Sequence, residues 1–178
     1  MQTPVNPFKQ ALQNQRRQIG FWLNLPNTTV AEIAAGAGFD WLLIDGEHAP
    51  NDLRSTLAAL QAIQGHPDSH AVVRVPHDGT ALIKQVLDIG AKTLLVPMVD
   101  TAEQARAVAA ATQYPPRGVR GVGSAVARSS LWTARADYME VLLTQRDALE
   151  SKFELVETQK QRMNAMVNMY QELGGGWR

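Results

Sequence analysis

The stretch that decides the fold is Trp41-Leu42-Leu43-Ile44-Asp45-Gly46-Glu47-His48. Its apolar residues run directly into two acids and a histidine. In a parallel sheet both faces of a strand are covered, so such strands are continuous apolar runs, and reactive groups collect at their carboxyl ends. The stretch therefore predicts a buried parallel strand that brings two carboxylates and an imidazole to one edge of a sheet.

Composition excludes several classes of protein. The chain has 178 residues, with 17 basic and 17 acidic side chains that are scattered rather than clustered, so no nucleic-acid partner is predicted. Cysteine is absent, which excludes disulfides, thiolate metal sites and a cysteine nucleophile. No apolar run reaches the length of a membrane span and no leader-like segment opens the chain. We expect a cytoplasmic protein with no membrane partner.

Short apolar runs alternate with helical patterns up to about residue 137. This alternation is typical of repeated βα units around a parallel sheet. Cap residues such as Asn27 or Thr28, Asn51 and Thr101 mark the helix starts. The predicted strands are 18–25, 41–46, 70–76 and 93–99, and the predicted helices are 28–37, 51–64, 79–89 and 101–113.

The pattern changes to one long helix from about 136 to 173. Apolar residues recur there at every seventh position, at Leu142, Leu149, Val156, Met163 and Tyr170. A helix with such a seam needs a partner for it, so we predict a packing or oligomerisation helix. A cofactor or membrane role is the alternative.

His48 is the first candidate for chemistry. An imidazole is the usual general base near neutral pH. An isolated histidine in a loop is more often simply solvated or hydrogen-bonded, but Asp45 and Glu47 can orient this ring and stabilise its protonated form. The two neighbouring carboxylates therefore favour a functional role for His48.

Arg74 is the second candidate, because it stands among valines in Val72-Val73-Arg74-Val75-Pro76. Its guanidinium is a planar fork of donors that matches a carboxylate, so a 2-oxo acid is a natural ligand. A structural ion pair with a carboxylate such as Asp45 is the alternative.

Three further features are weaker. Asp88, near the end of the third βα helix, either reaches back to a ring nitrogen or is a solvated acid. The loop 116–124, rich in glycine and with two arginines, suggests an anion-binding nest or a mobile lid but lacks P-loop spacing. The other histidines, His66, His70 and His77, show no metal-ligand spacing.

Residues 1–137 resemble the HpcH/HpaI family of class II pyruvate aldolases, of the 4-hydroxy-2-oxoheptanedioate aldolase type. The resemblance is collinear and rests on specific strings: Ile19-Gly20-Phe21-Trp22, residues 35–50, Val72-Val73-Arg74, residues 94–99 and residues 114–123. It implies the first half of a (β/α)8 barrel, so that the expected fold is a truncated TIM-type barrel of about four βα units followed by the long helix of residues 138–178.

The resemblance also implies an activity. Members are lyases that cleave 4-hydroxy-2-oxo acids to pyruvate and an aldehyde, with a divalent metal such as Mg²⁺, Mn²⁺ or Co²⁺. It implies that His48 is the base, acting through water, and that Arg74 steadies the pyruvate enolate. Asp45 and Asp88 would support the histidine and the metal's waters, while Trp22, Arg74 and Gly121 would contact the small 2-oxo acid.

Two departures from the family are visible. Its metal ligands, a Glu in a Gln-Ile-Glu string and an Asp in a Gly-Pro-Ala-Asp string, do not occur here, so no metal ligand is assigned. From about Tyr138 to Trp177 the chain instead resembles the closing helix of TolC-like outer-membrane efflux proteins, which suggests a join near residue 138. Because a half barrel has bare strand edges, we expect a homo-oligomer. The alternative function is a non-catalytic hybrid or truncated protein that acts only by oligomerising.

Overall fold

Helices and strands alternate along the chain in the computed structural model, which describes residues 5–123, 126–130, 160 and 161. A first helix, α1 (Pro7–Gln13), precedes four βα units. These are β1 (Gly20–Leu23) with α2 (Thr28–Gly36), β2 (Trp41–Asp45) with α3 (Leu53–Gln64), β3 (His70–Arg74) with α4 (Thr80–Asp88), and β4 (Leu94–Leu95) with α5 (Ala102–Thr112). A short 3-10 turn follows at Arg128–Ser130.

The four strands form one parallel sheet in the order β1-β2-β3-β4. The predicted alternation of strands and helices, and the parallel sheet, are confirmed. Among the described residues β1 and β4 each pair with one neighbour, so both are edges of the sheet. Closure into a truncated barrel stays a prediction.

The main core lies between the sheet and its helices. Leu42 and Ile44 of β2 and Val73 of β3 are almost fully buried against α2, α3 and α4, which contribute Ala31, Ile63 and Val86 among others. Burying one such aliphatic side chain stabilises the fold by about 1.5–3 kcal/mol. Strand β2 is buried on both faces, as its uninterrupted apolar run predicts.

Helix α1 lies at the amino end of the sheet and was not predicted. Asn6 caps it, accepting a hydrogen bond from Lys9 N, and Pro7 occupies its first turn. The ring of Phe8 stacks on His70 with 5.5 Å between centroids. The Asn6 amide also donates to Thr93 Oγ1 at 3.0 Å, so this helix is tied to the start of β4.

Element ends differ from the predictions for local reasons. Strand β4 is shorter than predicted because Pro97 has no N–H for a ladder and Met98 has a positive φ of 55°. Helix α3 is capped by Asp52 in a capping box with Ser55, not by Asn51 as predicted. The caps predicted at Asn27 and Thr101 are confirmed.

The predicted heptad helix of residues 136–173 lies outside the described residues, except that Lys160 and Gln161 are helical. Across the part of the chain that the structure describes, every helix is too short or too polar to cross a bilayer.

Candidate active site

The carboxyl ends of β2 and β3 bring the main candidate side chains together. These strands pair in parallel with Asp45 opposite Arg74, and register partners in a parallel sheet point to the same face. The apolar run of β2 therefore ends where its acid meets the arginine of β3.

Arg74 and Asp45 form a bidentate ion pair. The Nε of Arg74 donates to Asp45 Oδ1 at 2.9 Å, and its Nη2 donates to Oδ2 at 2.7 Å. The backbone N–H groups of Glu47 and His48 also donate to Oδ1, at 3.0 and 3.2 Å. The bond from Arg74 and these backbone donors outweigh burial and lower the pKa of Asp45 to about 2. The same bond raises the pKa of Arg74.

Glu47 connects the arginine to the histidine. Its Oε2 lies 2.9 Å from Nη1 of Arg74, and its Oε1 lies 3.6 Å from Nε2 of His48. The His48 side chain is 74% exposed, so its ring is open to water and to a ligand. Asp45 contacts the backbone of His48 rather than its ring, which corrects the expectation that both acids orient the imidazole directly.

Trp22, at the end of β1, lies against Arg74. The Cζ of the arginine stands 4.7 Å from the centroid of the indole, a cation–π distance. Trp22 is 42% exposed, so part of its face remains available beside the guanidinium. Of the predicted site residues, the structure brings together Trp22, Asp45, His48 and Arg74.

Asn51 and Gly46, which were not predicted as site residues, fix the backbone of the site. The Asn51 amide donates to the carbonyl oxygens of Asp45 at 2.9 Å and Leu23 at 3.5 Å, which ties the ends of β1 and β2. The Gly46 N–H donates to the Arg74 carbonyl at 2.9 Å. A Cβ at Gly46 would lie 2.8 Å from that oxygen, so a side chain is excluded there.

Arg74 keeps unused donors. A guanidinium has five N–H groups. Three of them face carboxylate oxygens of Asp45 and Glu47, which leaves two without a partner among the described residues. Two carboxylates and one guanidinium give this group of side chains a net charge of −1 when His48 is neutral. An anionic ligand therefore binds more readily when His48 is protonated or another cation is near.

The described residues do not fit a divalent metal. Within residues 5–123 and 126–130 no three His, Asp or Glu side chains converge as ligands. Both Asp45 oxygens are occupied by Arg74 and backbone donors, and one Glu47 oxygen faces the same arginine. The metal that the resemblance implies has no site among these groups.

The described contacts of Asp88 and Gly121 lie outside the group of side chains around Arg74, and the roles implied for these two residues stay predictions. In a parallel βα unit the helix ends beside the amino ends of the strands, so Asp88, the last residue of α4, lies away from His48. It pairs with Arg120 Nη2 at 2.6 Å, and Arg120 also stacks on Tyr114. A Cβ on Gly121 would lie 3.5 Å from Lys84 on α4. The Arg120 side chain of this loop is therefore engaged by Asp88.

Comparison with known proteins gives consistent matches. The HpcH/HpaI aldolase/citrate lyase family profile matches residues 18–168. A hydroxypyruvate/pyruvate aldolase of Cupriavidus necator is 63% identical over 136 residues, which are 76% of this chain and 50% of that protein. A 4-hydroxy-2-oxo-heptane-1,7-dioate aldolase of Salmonella arizonae is 58% identical over 134 residues, 75% of this chain and 51% of that protein.

A solved structure agrees with the fold. The crystal structure of an HpcH/HpaI aldolase/citrate lyase family protein from Burkholderia cenocepacia superposes with a TM-score of 0.71 at 41% identity, covering 76% of this chain and 55% of the other. The chain thus spans about half the length of the curated relatives it matches. On the family match and this agreement of fold, the chain belongs to the HpcH/HpaI aldolase/citrate lyase family.

Proposed function

We propose that this chain carries the 2-oxo acid-binding half of a pyruvate aldolase site, and that its reaction is the cleavage of a 4-hydroxy-2-oxo acid to pyruvate and an aldehyde. The observation that carries the proposal is the convergence of Arg74 and His48 on Glu47 at the ends of neighbouring strands. The aldolase names of the relatives support the reaction class.

Arg74 is the proposed anchor for the substrate. Its two unused N–H groups match the carboxylate and 2-oxo oxygens of a small keto acid. Asp45 holds the guanidinium in a fixed plane, and Trp22 packs against its face, so little side-chain freedom is lost when a ligand binds. This pre-organisation distinguishes Arg74 from an arginine on the surface.

His48 is the proposed proton carrier, acting through water. Cleavage removes the proton of the 4-hydroxyl group, breaks the C3–C4 bond, and leaves the electron pair on the pyruvate enolate while the aldehyde departs. The enolate then takes a proton at C3. Arg74 stabilises the negative charge that develops on the enolate oxygen, and Glu47 stabilises the imidazolium between the two proton transfers.

The steps above are derived without the divalent metal that the family resemblance implies. The described residues offer it no site, and each step above uses only side chains of this chain. Assays with and without Mn²⁺ measure what a metal adds.

The test is pyruvate formation from 4-hydroxy-2-oxovalerate, coupled to lactate dehydrogenase. His48→Ala is expected to lower the rate by about 10²-fold or more. His77→Ala is the matched control, because His77 is also exposed and follows the next strand, and its one hydrogen bond among the described residues is with the Gly79 N–H. Its rate is expected to stay within about twofold of the unsubstituted chain.

A second measurement separates the proton step from the bond cleavage. Arg74 and His48 alone should catalyse exchange of the pyruvate methyl protons for deuterium, which NMR detects without any aldehyde. No exchange and no pyruvate release above the His48→Ala background would remove the lyase proposal.

A non-catalytic role through self-association is the second candidate. The observation in its favour is the pair of open edges at β1 and β4, together with the exposed apolar side chains Phe21 and Leu95 on those strands. We propose a homo-oligomer in either case. Association without any exchange of pyruvate protons would favour this candidate.

A further inference from the structure

A cavity of about 380 Å³ lies at the opposite end of the sheet from Arg74. Its walls come from the start of α1, the end of α3 and the turn after it, the start of β3, residues 90–92 after α4, and the turn at Arg128–Ser130. Helix ends and strand starts meet there because parallel βα units place them at the same edge. The site of the proposed lyase reaction does not include this cavity.

The charged side chains that line the cavity are cationic. Lys92 and Arg128 line it, and no Asp or Glu does so among the residues that the structure describes. Asp68 is adjacent in sequence to two lining residues but is exposed and not part of the wall. Asp88, at the end of α4, is already paired with Arg120. The positive charge of the cavity is therefore not neutralised by a described carboxylate.

Arg128 is held at the wall by uncharged groups. Its Nη1 donates to the carbonyl oxygen of Ile89 at 3.1 Å, and its Nη2 donates to Oε1 of Gln64. Three of its five N–H groups have no partner within the described ranges. Gly90 permits this approach, because it has a φ of +105° and a Cβ on it would lie 2.5 Å from Nη1.

Ser69 supplies a second, independent sign of a ligand. It is 7% exposed and lines the same cavity, and its Oγ has no hydrogen-bond partner in the stretches 5–123 and 126–130. A buried hydroxyl without a partner costs free energy, so such groups in folded proteins usually meet water or a ligand. Ser69 lines the same cavity as the cations Lys92 and Arg128, and a hydroxyl together with cations matches an oxyanion.

The rest of the wall limits the kind of anion. Leu60, Ile63 and Pro7 form an apolar side. His70 also lines the cavity, where its Nε2 bonds to Thr93 Oγ1 at 2.7 Å. Burial and the charge of Lys92 lower the pKa of His70, so near neutral pH its ring is uncharged and adds no third cation.

We propose that this cavity binds a small organic oxyanion, a carboxylate or a phosphate ester with an apolar group. Lys92 and Arg128 bind the charged end, the buried Ser69 hydroxyl turns toward that end and donates to it, and Leu60 and Ile63 contact the apolar end. The volume is in the range of ordinary small-molecule sites.

The test is calorimetric titration of the whole chain with phenyl phosphate and with benzoate, at one ionic strength set with NaCl. Inorganic phosphate is the third probe and shows how much of the affinity needs the apolar group. Saturable binding of either aromatic anion, weakened about tenfold by Lys92→Gln and by Arg128→Gln, is the expected result. Stronger binding of phenyl phosphate than benzoate would identify the phosphate ester as the ligand type, and the reverse order the carboxylate.

Arg117→Gln is the matched control, because Arg117 is exposed and does not line the cavity. Ser69→Ala removes only the hydroxyl and is expected to weaken binding several-fold. No saturable binding of any of the three anions would overturn the proposal. Equal affinities of the unsubstituted chain, Lys92→Gln and Arg128→Gln would do so too, and neither result bears on the activity at His48.

Discussion

Arg74 on β3 and Asp45 on β2 are register partners in the parallel sheet. Both carboxylate oxygens of Asp45 lie within 2.9 Å of guanidinium nitrogens of Arg74. The sequence around Arg74 allows two interpretations, an arginine that binds an anionic ligand or a structural ion pair with Asp45. The structure shows the ion pair. The guanidinium still keeps two N–H groups for a ligand, so the pair positions the arginine without exhausting its donors.

Asp45→Asn should destabilise the chain at neutral pH by about 2 kcal/mol, because the pKa of Asp45 is lowered to about 2 from 3.8 and one pKa unit is worth about 1.4 kcal/mol. A carboxylate whose pKa is lowered in the folded state stabilises that state at pH values above the pKa of the carboxylate in the unfolded chain. That stability is lost as pH falls through the folded pKa. Urea unfolding should therefore show the full difference in unfolding free energy between the two chains at pH 7. That difference should shrink between about pH 4 and pH 2. A difference that is the same at pH 7 and pH 2 would contradict the assignment.

Arg74→Lys should lower kcat/KM for a 4-hydroxy-2-oxo acid by about 10²-fold. A lysine cannot keep the two-point contact with Asp45 or lie flat on Trp22 while it binds the substrate. Arg54→Lys on the exposed side of α3 is the matched control and should leave both activity and Tm unchanged. Equal losses in the two variants would show that the effect is not specific to the site.

Glu47→Gln should separate binding from catalysis. The carboxylate of Glu47 competes with an anionic substrate for Arg74, so its neutralisation is expected to lower KM several-fold. The same change removes the charge that stabilises protonated His48, so kcat should fall as well. Steady-state kinetics at several pH values measure both effects. A rise in KM would show that Glu47 assists binding instead.

Gly46→Ala should cost more than about 2 kcal/mol of stability, since the added Cβ would lie 2.8 Å from the Arg74 carbonyl. Gly65→Ala is the control. Its φ is −66° and a Cβ there would meet nothing closer than 3.5 Å, so its unfolding free energy should change by less than about 0.5 kcal/mol. Thermal unfolding of both variants checks the contrast.

The chain should be oligomeric in solution, because β1 and β4 leave unpaired backbone groups at both edges of the sheet among the described residues. Sizing with light scattering over a concentration series measures the mass. A sharp monomer peak at every concentration would contradict this expectation.

Part of the fold is readable from local patterns. The buried strand 41–45 follows from its uninterrupted apolar run, and the caps at Asn27 and Thr101 follow from side chains that accept N–H bonds at helix starts. Helix α1 lies outside the predicted elements although Asn6-Pro7 is a helix-start signal, because a helix of seven residues with no buried side chain shows no apolar periodicity. Because asparagine favours caps, the sequence predicts a cap at Asn51, yet its amide ties two strand ends.

The site, like the fold, has some features that local sequence predicts and others that it does not. Asp45, Glu47 and His48 are adjacent in the chain, so their proximity needs only the strand before them. The position of Asp88 near a helix end allows two interpretations, a contact with a ring nitrogen or a solvated acid, and in the structure its carboxylate pairs with Arg120. The position of Asp88 depends on the topology of the βα unit, and no short sequence motif reveals it.

The order of residues by itself determined that parallel strands would end in acid, imidazole and guanidinium, because hydrophobic runs and cap residues act over a few neighbouring positions. Only the tertiary structure decided which of these groups touch. The Asp45 and Arg74 contact depends on strand register across 29 residues, and the cavity at Ser69 and Arg128 on three elements distant in sequence. Such contacts arise from packing of the whole sheet against its helices.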